Sequence, residues 1–399
     1  MIFNTWVFAV FGCVVLAVYH ALVPQRFKPV FLVAAGCVFY AYSVPAYLLL
    51  IVLLGAVTFG IGRAMLRLGE RDPARKTWLA GGVVLIVGVL AFFKYTKFFA
   101  LTVDQIARHQ VVPVPTIVVP LAISFFTFEF VHVLVDVYYG KIRELRPLDF
   151  AVFAMFFPTL VAGPIKRYQT FAPQLAALGT GSAEDLALNG YRVVIGLAKK
   201  YVIADSMTLL TQPLLAPGPP FGPADYWIAT AAYAAKIYFD FSGYSDIAIG
   251  LGGLLGVRIP ENFERPYWAE NISQFWRRWH MSLSSWIRDY VFIPLGGSKR
   301  GRAATAANLF LAMAVAGLWH GAAWTFVLWG LWHGAGLAVH RWWSAFVVSR
   351  VPLLRCGHRS IAALSICVTF LFVCLGWVLF ATSSAATAAL VYRYLLGAG

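Results

Sequence analysis

Gly317-Leu-Trp-His-Gly-Ala322 and, thirteen residues on, Gly330-Leu-Trp-His-Gly-Ala335 are one hexapeptide written twice, the first at the end of an apolar run at 304–319 and the second inside one at 324–339. Two such runs with a short break between them predict a helical hairpin, with one histidine on each arm. Were a single helix to continue through both copies, thirteen residues at 3.6 per turn would set His320 and His333 on nearly opposite faces. Upstream, Asn262-Phe-Glu-Arg-Pro-Tyr267, Phe275-Trp-Arg-Arg-Trp-His-Met-Ser-Leu-Ser284 and Arg288-Asp-Tyr-Val-Phe-Ile-Pro-Leu-Gly-Gly297 crowd arginines, histidines and tryptophans into an otherwise greasy chain.

That greasiness sets the class. Of 399 residues, 60% are hydrophobic and only 12% charged, with a mean hydropathy of +0.74. Soluble domains carry about 25% charged residues. Apolar runs long enough to cross a hydrocarbon core of roughly 30 Å recur throughout. The expectation is an all-α polytopic membrane protein of about ten transmembrane helices plus re-entrant or interfacial pieces, folded as one membrane domain over 1–399 with its motif core at 238–336. The net charge of +15 fits basic cytoplasmic loops better than a nucleic-acid partner. The surrounding partner is membrane lipid. Cys13, Cys37, Cys356, Cys367 and Cys374 show no metal-binding spacing and read as small core residues.

In chain order, predicted segments fall at 3–23, 30–42, 46–61, 78–99 and 116–139. Arg63, Arg67, Arg71, Arg75 and Lys76, and later Lys141, Arg143 and Arg146, mark cytoplasmic loops, with the N-terminus outside. Lys94 and Lys97 are placed near the far end of their span, where they can snorkel. Residues 150–162 are short and suit a re-entrant or interfacial helix as well as a span. Residues 183–210 are mildly amphipathic, 213–223 form a loop, 226–255 a long segment and 361–381 a last strong span.

Ionisable groups within membrane segments cost about 2.5–3.5 kcal/mol on insertion scales, so each is a functional candidate. Glu129, His132 and Asp136 share one helical stripe; a proton relay or a metal is conceivable, and pairing with Lys or Arg is the favoured reading. In Tyr238-Phe-Asp-Phe-Ser-Gly-Tyr-Ser-Asp246, Asp240 and Asp246 point to different faces, and the glycines from 243 to 256 permit either close packing or a helix break. Residues 271–290 read as one amphipathic helix with Arg277, His280, Ser284 and Arg288 along one side, facing water, an anion or a buried partner. No HExxH motif occurs, and no metal is expected.

The motifs at 238–250, 262–267, 275–284, 288–297 and 317–324 resemble the membrane-bound O-acyltransferase family, in its branch of alginate O-acetyltransferases and relatives that modify other cell-wall polymers. The resemblance implies that family's fold, helices around a central channel in a bacterial cytoplasmic (inner) membrane. It implies transfer of an acetyl group from a cytoplasmic thioester, acetyl-CoA, to an exported or cell-surface polysaccharide, with no tightly bound cofactor. It makes His320 the catalytic histidine and His280 its companion. Arg277, Arg278, Ser284, Arg288, Asp240, Asp246, Trp319 and Asn262 become the candidate substrate-binding set. It further implies a periplasmic or cell-surface acetyltransferase-like partner of the SGNH type that holds the polymer. The alternative is a transporter or flippase of a glycan or lipid intermediate, which explains broken helices and buried charges but not the Trp-His-Gly motif. Relatives usually continue past residue 380, where they commonly carry Arg and this chain has Ala381; the shorter end bears on partner docking. The basic trio Lys299, Arg300 and Arg302 is expected near the cytoplasmic mouth, attracting an anionic donor.

Overall fold

The computed structural model describes residues 5–178, 181–348, 350 and 359–398. Phe3 and Cys356 lie outside them. Every regular element among the described residues is helical, and contacts divide the chain into two compact units. One comprises 1–197 with 244–260, the other 198–243 with 261–399.

The first unit opens with α1 (Trp6–Ala21), whose Thr5 side chain accepts from the Phe8 amide at 3.2 Å and caps the helix start. Next come α2 (Lys28–Ala41), α3 (Pro45–Arg67) and α4 (Ala74–Ala107). The fifth predicted span is shortened. Pro113, Pro115 and Pro120 withhold amides from any helix, so α5 begins only at Ile123 (Ile123–Tyr138). Lys94 is also not at a helix end. It lies well inside α4 and reaches Ser124 at 3.1 Å. Arg75 is more than a topology marker: it is buried, and its guanidinium bonds the Val137 and Tyr138 carbonyls at 2.8 and 3.1 Å, covering the open end of α5.

After α5, the run at 150–162 becomes a nine-residue helix, α6 (Pro147–Met155), then one 3₁₀ turn, too short to cross. The stripe on α5 is satisfied locally. Glu129 pairs with Lys166, both buried; His132 accepts the Tyr168 amide at 3.1 Å; Asp136 holds Lys141 at 3.1 Å and Gln169 at 2.9 Å. This is the pairing read from the sequence. Helix α7 (Ala183–Ala198) runs into a π-helical turn at Lys199–Ala204.

The glycine-rich segment does not break. It is one helix, α8 (Pro223–Leu254), preceded by a helical turn at Gln212–Leu215 inside the stretch expected to be all loop. The division between units falls along α8, after Gly243. At Gly253 a Cβ would sit 2.0 Å from Asn189, so this glycine permits close approach of α7 rather than a kink.

In the second unit the single helix expected over 271–290 is two. Helix α9 (Ile272–Arg278), capped by Asn271 onto the Gln274 amide at 2.9 Å, ends at Trp279. Helix α10 (Met281–Ile287) starts afresh because His280 takes φ +42°, the left-handed region, which reverses the backbone between them. The expected hairpin is present as α11 (Arg302–His320) and α12 (Trp324–Trp343), followed by α13 (Arg359–Ala381) and a helix not anticipated, α14 (Ala385–Leu395).

Helices α3, α4, α11 and α13 are long and apolar enough to cross a membrane. Their outward faces carry exposed Leu, Val and Phe, as lipid contact requires. Cys367 on α13 and Cys13 on α1 are exposed, so among the described cysteines, all read as core, only Cys374 is fully buried.

Candidate functional site

The doubled hexapeptide is a packing device before it is a site. Gly317 and Gly321 on one side, and Gly330 and Gly334 on the other, are each a G-x-x-x-G pair, the spacing that lets two helices touch backbone to backbone. A Cβ on Gly317 would lie 2.1 Å from the Phe326 carbonyl oxygen, and one on Gly330 would lie 2.2 Å from that of Met313. The glycines therefore zip α11 onto α12 and fix the register of the histidines between them.

The two histidines then part company. Gly321 is extended (φ −162°), so α11 stops at His320 and leaves that ring at a helix terminus, partly exposed. His333 stands inside α12 and is fully buried. Trp329 stands between them, its ring 5.1 Å from His320 and 5.0 Å from His333. His333 stacks on Phe275 and meets Trp276 and Phe372 edge-on, and neither of its nitrogens finds a hydrogen-bond partner among the described residues. It is a packing histidine.

His280 completes the arrangement. Its left-handed backbone turns the ring inward, where Phe241 meets it at 4.6 Å and Trp319 at 5.8 Å. Trp319 in turn packs on His320 at 4.8 Å. The Asn262 side-chain oxygen accepts from the Ser282 hydroxyl at 2.8 Å and the Ser282 amide at 3.3 Å, and it lies 3.1 Å from His280 Nδ1. An oxygen already taking two donors requires a proton on Nδ1, so Nε2 carries the lone pair. That Nε2 is buried and has no partner among the described residues. Burial first, and His320 nearby second, hold the His280 imidazole well below its ordinary pKa, hence neutral.

Of the residues singled out from the sequence, Asn262, His280, Trp319 and His320 come together. The stripe Arg277–His280–Ser284–Arg288 does not form, because the chain reverses at its second member. Arg277 and Arg288 are exposed, and Arg278 donates to the Trp268 carbonyl at 3.2 Å. Ser284 and Arg288 instead line an otherwise apolar cavity of about 190 Å³ with Trp276, Leu283 and the α11 residues Ala312, Met313 and Ala316. Asp240 is held by Lys200 at 2.8 Å in the second unit, and Asp246 by Arg192 at 3.0 Å in the first. Both read as structural anchors. Sequence reasoning missed Ser282, Trp329, Trp377 and Phe380. The last lies 5.1 Å from His320 and 5.5 Å from Trp377. The Trp-His-Gly context and the Gly-Trp-Val-Leu-Phe run at 376–380 were the available signals.

The family model of membrane-bound O-acyltransferases matches residues 88–384. The chain belongs to that family and is a multi-pass membrane enzyme of the O-acyltransferase class. It is 38% identical over 405 aligned positions to "Probable alginate O-acetylase AlgI" of Pseudomonas aeruginosa, covering all of this chain and 75% of that protein. It is also 34% identical to a peptidoglycan O-acetyltransferase of Helicobacter pylori, over 93% of this chain and 74% of that one. Similarity extends at 30% to a teichoic acid D-alanyltransferase of Bacillus subtilis, over 65% and 68%.

Proposed function

We propose that this enzyme takes an acetyl group from acetyl-CoA, or another acyl thioester, on the cytoplasmic side and delivers it for O-acetylation of an exported or cell-surface polysaccharide, with His320 as general base. The observation that carries the reading is the contrast among three histidines: His280 and His333 are sealed in, whereas His320 ends its helix with its ring partly open. A hydroxyl is a poor nucleophile at neutral pH. His320 removes its proton as the oxygen attacks the thioester carbonyl, and the departing thiolate receives that proton when the C–S bond breaks. General-base help of this kind is worth roughly 10²–10⁴-fold. The neutral, oriented His280 positions Trp319 and, through it, the His320 ring.

In this reading the chain is one membrane domain of about ten crossings with re-entrant pieces around a channel, in a bacterial cytoplasmic membrane. Arg288, Ser284 and the turn at Gly296 and Gly297, both at positive φ, line its inner half. The exposed Lys299, Arg300 and Arg302 draw in the anionic donor. A separate periplasmic or cell-surface protein of the SGNH type holds the polymer. The resemblance to polymer-modifying relatives supports this assignment of acceptor.

Protein in liposomes, with radiolabelled acetyl-CoA inside and oligosaccharide outside, tests both parts. His320→Ala should lose transfer while inserting normally; retention of most wild-type transfer would sink the base assignment. Donor hydrolysis rescued into transfer by a periplasmic extract supports the relay, and efficient acetylation without a second protein excludes it.

A further inference from the structure

The first unit holds a cleft that the acyl-transfer chemistry does not use. It lies between the end of α3 and the segment that follows α5, encloses about 460 Å³, and is lined by Phe59, Gly60, Arg63 and Arg67 facing Glu144 and Arg146. A second cavity of about 430 Å³ shares Glu144 and Arg146 and adds Lys141, Arg143 and Asp149 to the rim.

Charge in this cleft is one-sided. Glu144 is already engaged: Arg146 grips it with two bonds, 2.9 and 3.2 Å, and holds its carboxyl below the usual range. Arg63 donates to the Leu145 carbonyl at 3.3 Å, and Arg67 stands one turn further along the same face, exposed. Neither has a carboxylate within ion-pair distance among the described residues.

The approach to these arginines is apolar. Leu49, Leu53 and Val57 follow one another at helical spacing on α3, exposed at 63%, 54% and 41%. The stripe then reaches Gly60, where a Cβ would meet nothing within 4 Å. One face of a membrane-crossing helix thus passes from grease, through an open notch, to two cations a turn apart.

We infer that this cleft is a binding site for an anionic phospholipid, its acyl chains along Leu49, Leu53 and Val57 and its phosphate at Arg63 and Arg67. A free phosphate would use the arginines but not the stripe. A zwitterionic lipid would use the stripe but leave the excess positive charge unbalanced. Basic pockets beside membrane helices on the cytoplasmic side are suited to such headgroups, and each basic residue adds attraction of about 1 kcal/mol near an anionic surface, which for two arginines corresponds to about thirtyfold in affinity.

The test is native mass spectrometry of the delipidated full-length protein with dioleoyl phosphatidylglycerol or dioleoyl phosphatidylcholine. The wild type should retain phosphatidylglycerol in preference. Arg63→Gln with Arg67→Gln should weaken that retention about thirtyfold, and Arg71→Gln, in the turn just after α3 and outside the cleft, should leave it unchanged. Gly60→Leu keeps every charge and fills the notch, so it should weaken retention too; it decides the matter should the double variant fail to fold. Equal retention of both lipids, or losses as large in Arg71→Gln as in the double variant, would overturn the site. Displacement of phosphatidylglycerol by equimolar coenzyme A or inorganic phosphate would overturn the lipid assignment in favour of a soluble phosphate.

Discussion

Asn262 and His280, eighteen positions apart, are joined side chain to side chain at 3.1 Å, and that contact decides which nitrogen of the buried imidazole carries its proton. Asn262→Ala removes the acceptor from His280 and from Ser282 together. Stranding buried donors costs about 1–3 kcal/mol, so a lower unfolding midpoint in detergent is expected. Nitrogen NMR of histidine-labelled protein should show a mixture of tautomers in place of one. Asn262→Asp keeps an acceptor and should keep the single tautomer, while its negative charge moves His280 protonation to higher pH.

His333 should tolerate replacement where His320 does not. His333→Phe preserves the stack on Phe275 and removes two nitrogens that satisfy nothing within the described residues. A near-isosteric core change costs below about 1.5 kcal/mol. Transfer should therefore stay within about tenfold of wild type on that energy scale, as read by initial rates. A loss as deep as that of His320→Ala would give His333 a chemical part.

The glycine zip makes a backbone prediction. Gly330→Ala and Gly317→Ala each press a methyl onto a carbonyl of the facing helix, and overpacking of this sort costs about 1–3 kcal/mol or more. Thermal unfolding should fall in both. Gly88→Ala on α4, where a Cβ meets nothing within 4 Å, should be neutral or raise stability by about 0.5–1 kcal/mol through helix propensity.

Lys166→Met leaves the Glu129 carboxyl buried without its partner, a change worth about 3–5 kcal/mol when a buried pair is broken from one side. Adding Glu129→Leu should restore most of the lost stability, since two apolar residues need no partner. If the double variant is as unstable as the single one, the pair is doing more than satisfying itself.

The sequence was most legible where composition and spacing act alone. Apolar runs foretold the α11–α12 hairpin, α3 and α13, and the structural reading of Glu129, His132 and Asp136, with the carboxylates paired to lysine, is what the folded chain holds. It was least legible at 271–290. Periodicity there reports a helical face faithfully for α9 and α10 separately, but cannot show that one residue, His280, adopts a left-handed backbone and cancels the register between them. The partners of Asp240 and Asp246, Lys200 and Arg192, are about forty to fifty positions away, and only the folded chain brings them close. Phe380 and Trp377 escaped for the same reason: α13 reaches the His320 ring by tertiary packing, which leaves no periodic trace.

The stop of α11 at His320 is also a matter of solid angle. A ring in the middle of a helix is flanked by turns above and below, so reactants can approach it only from the side. A ring on the last residue has backbone on one axial side alone, and the extended Gly321 carries the chain away from the other. Packed by Trp319, Trp329 and Phe380 at 4.8, 5.1 and 5.1 Å, the partly exposed ring thus keeps one axial side clear of its own helix. Extending the helix by even one turn past His320, with no change to any side chain at the site, would close that side.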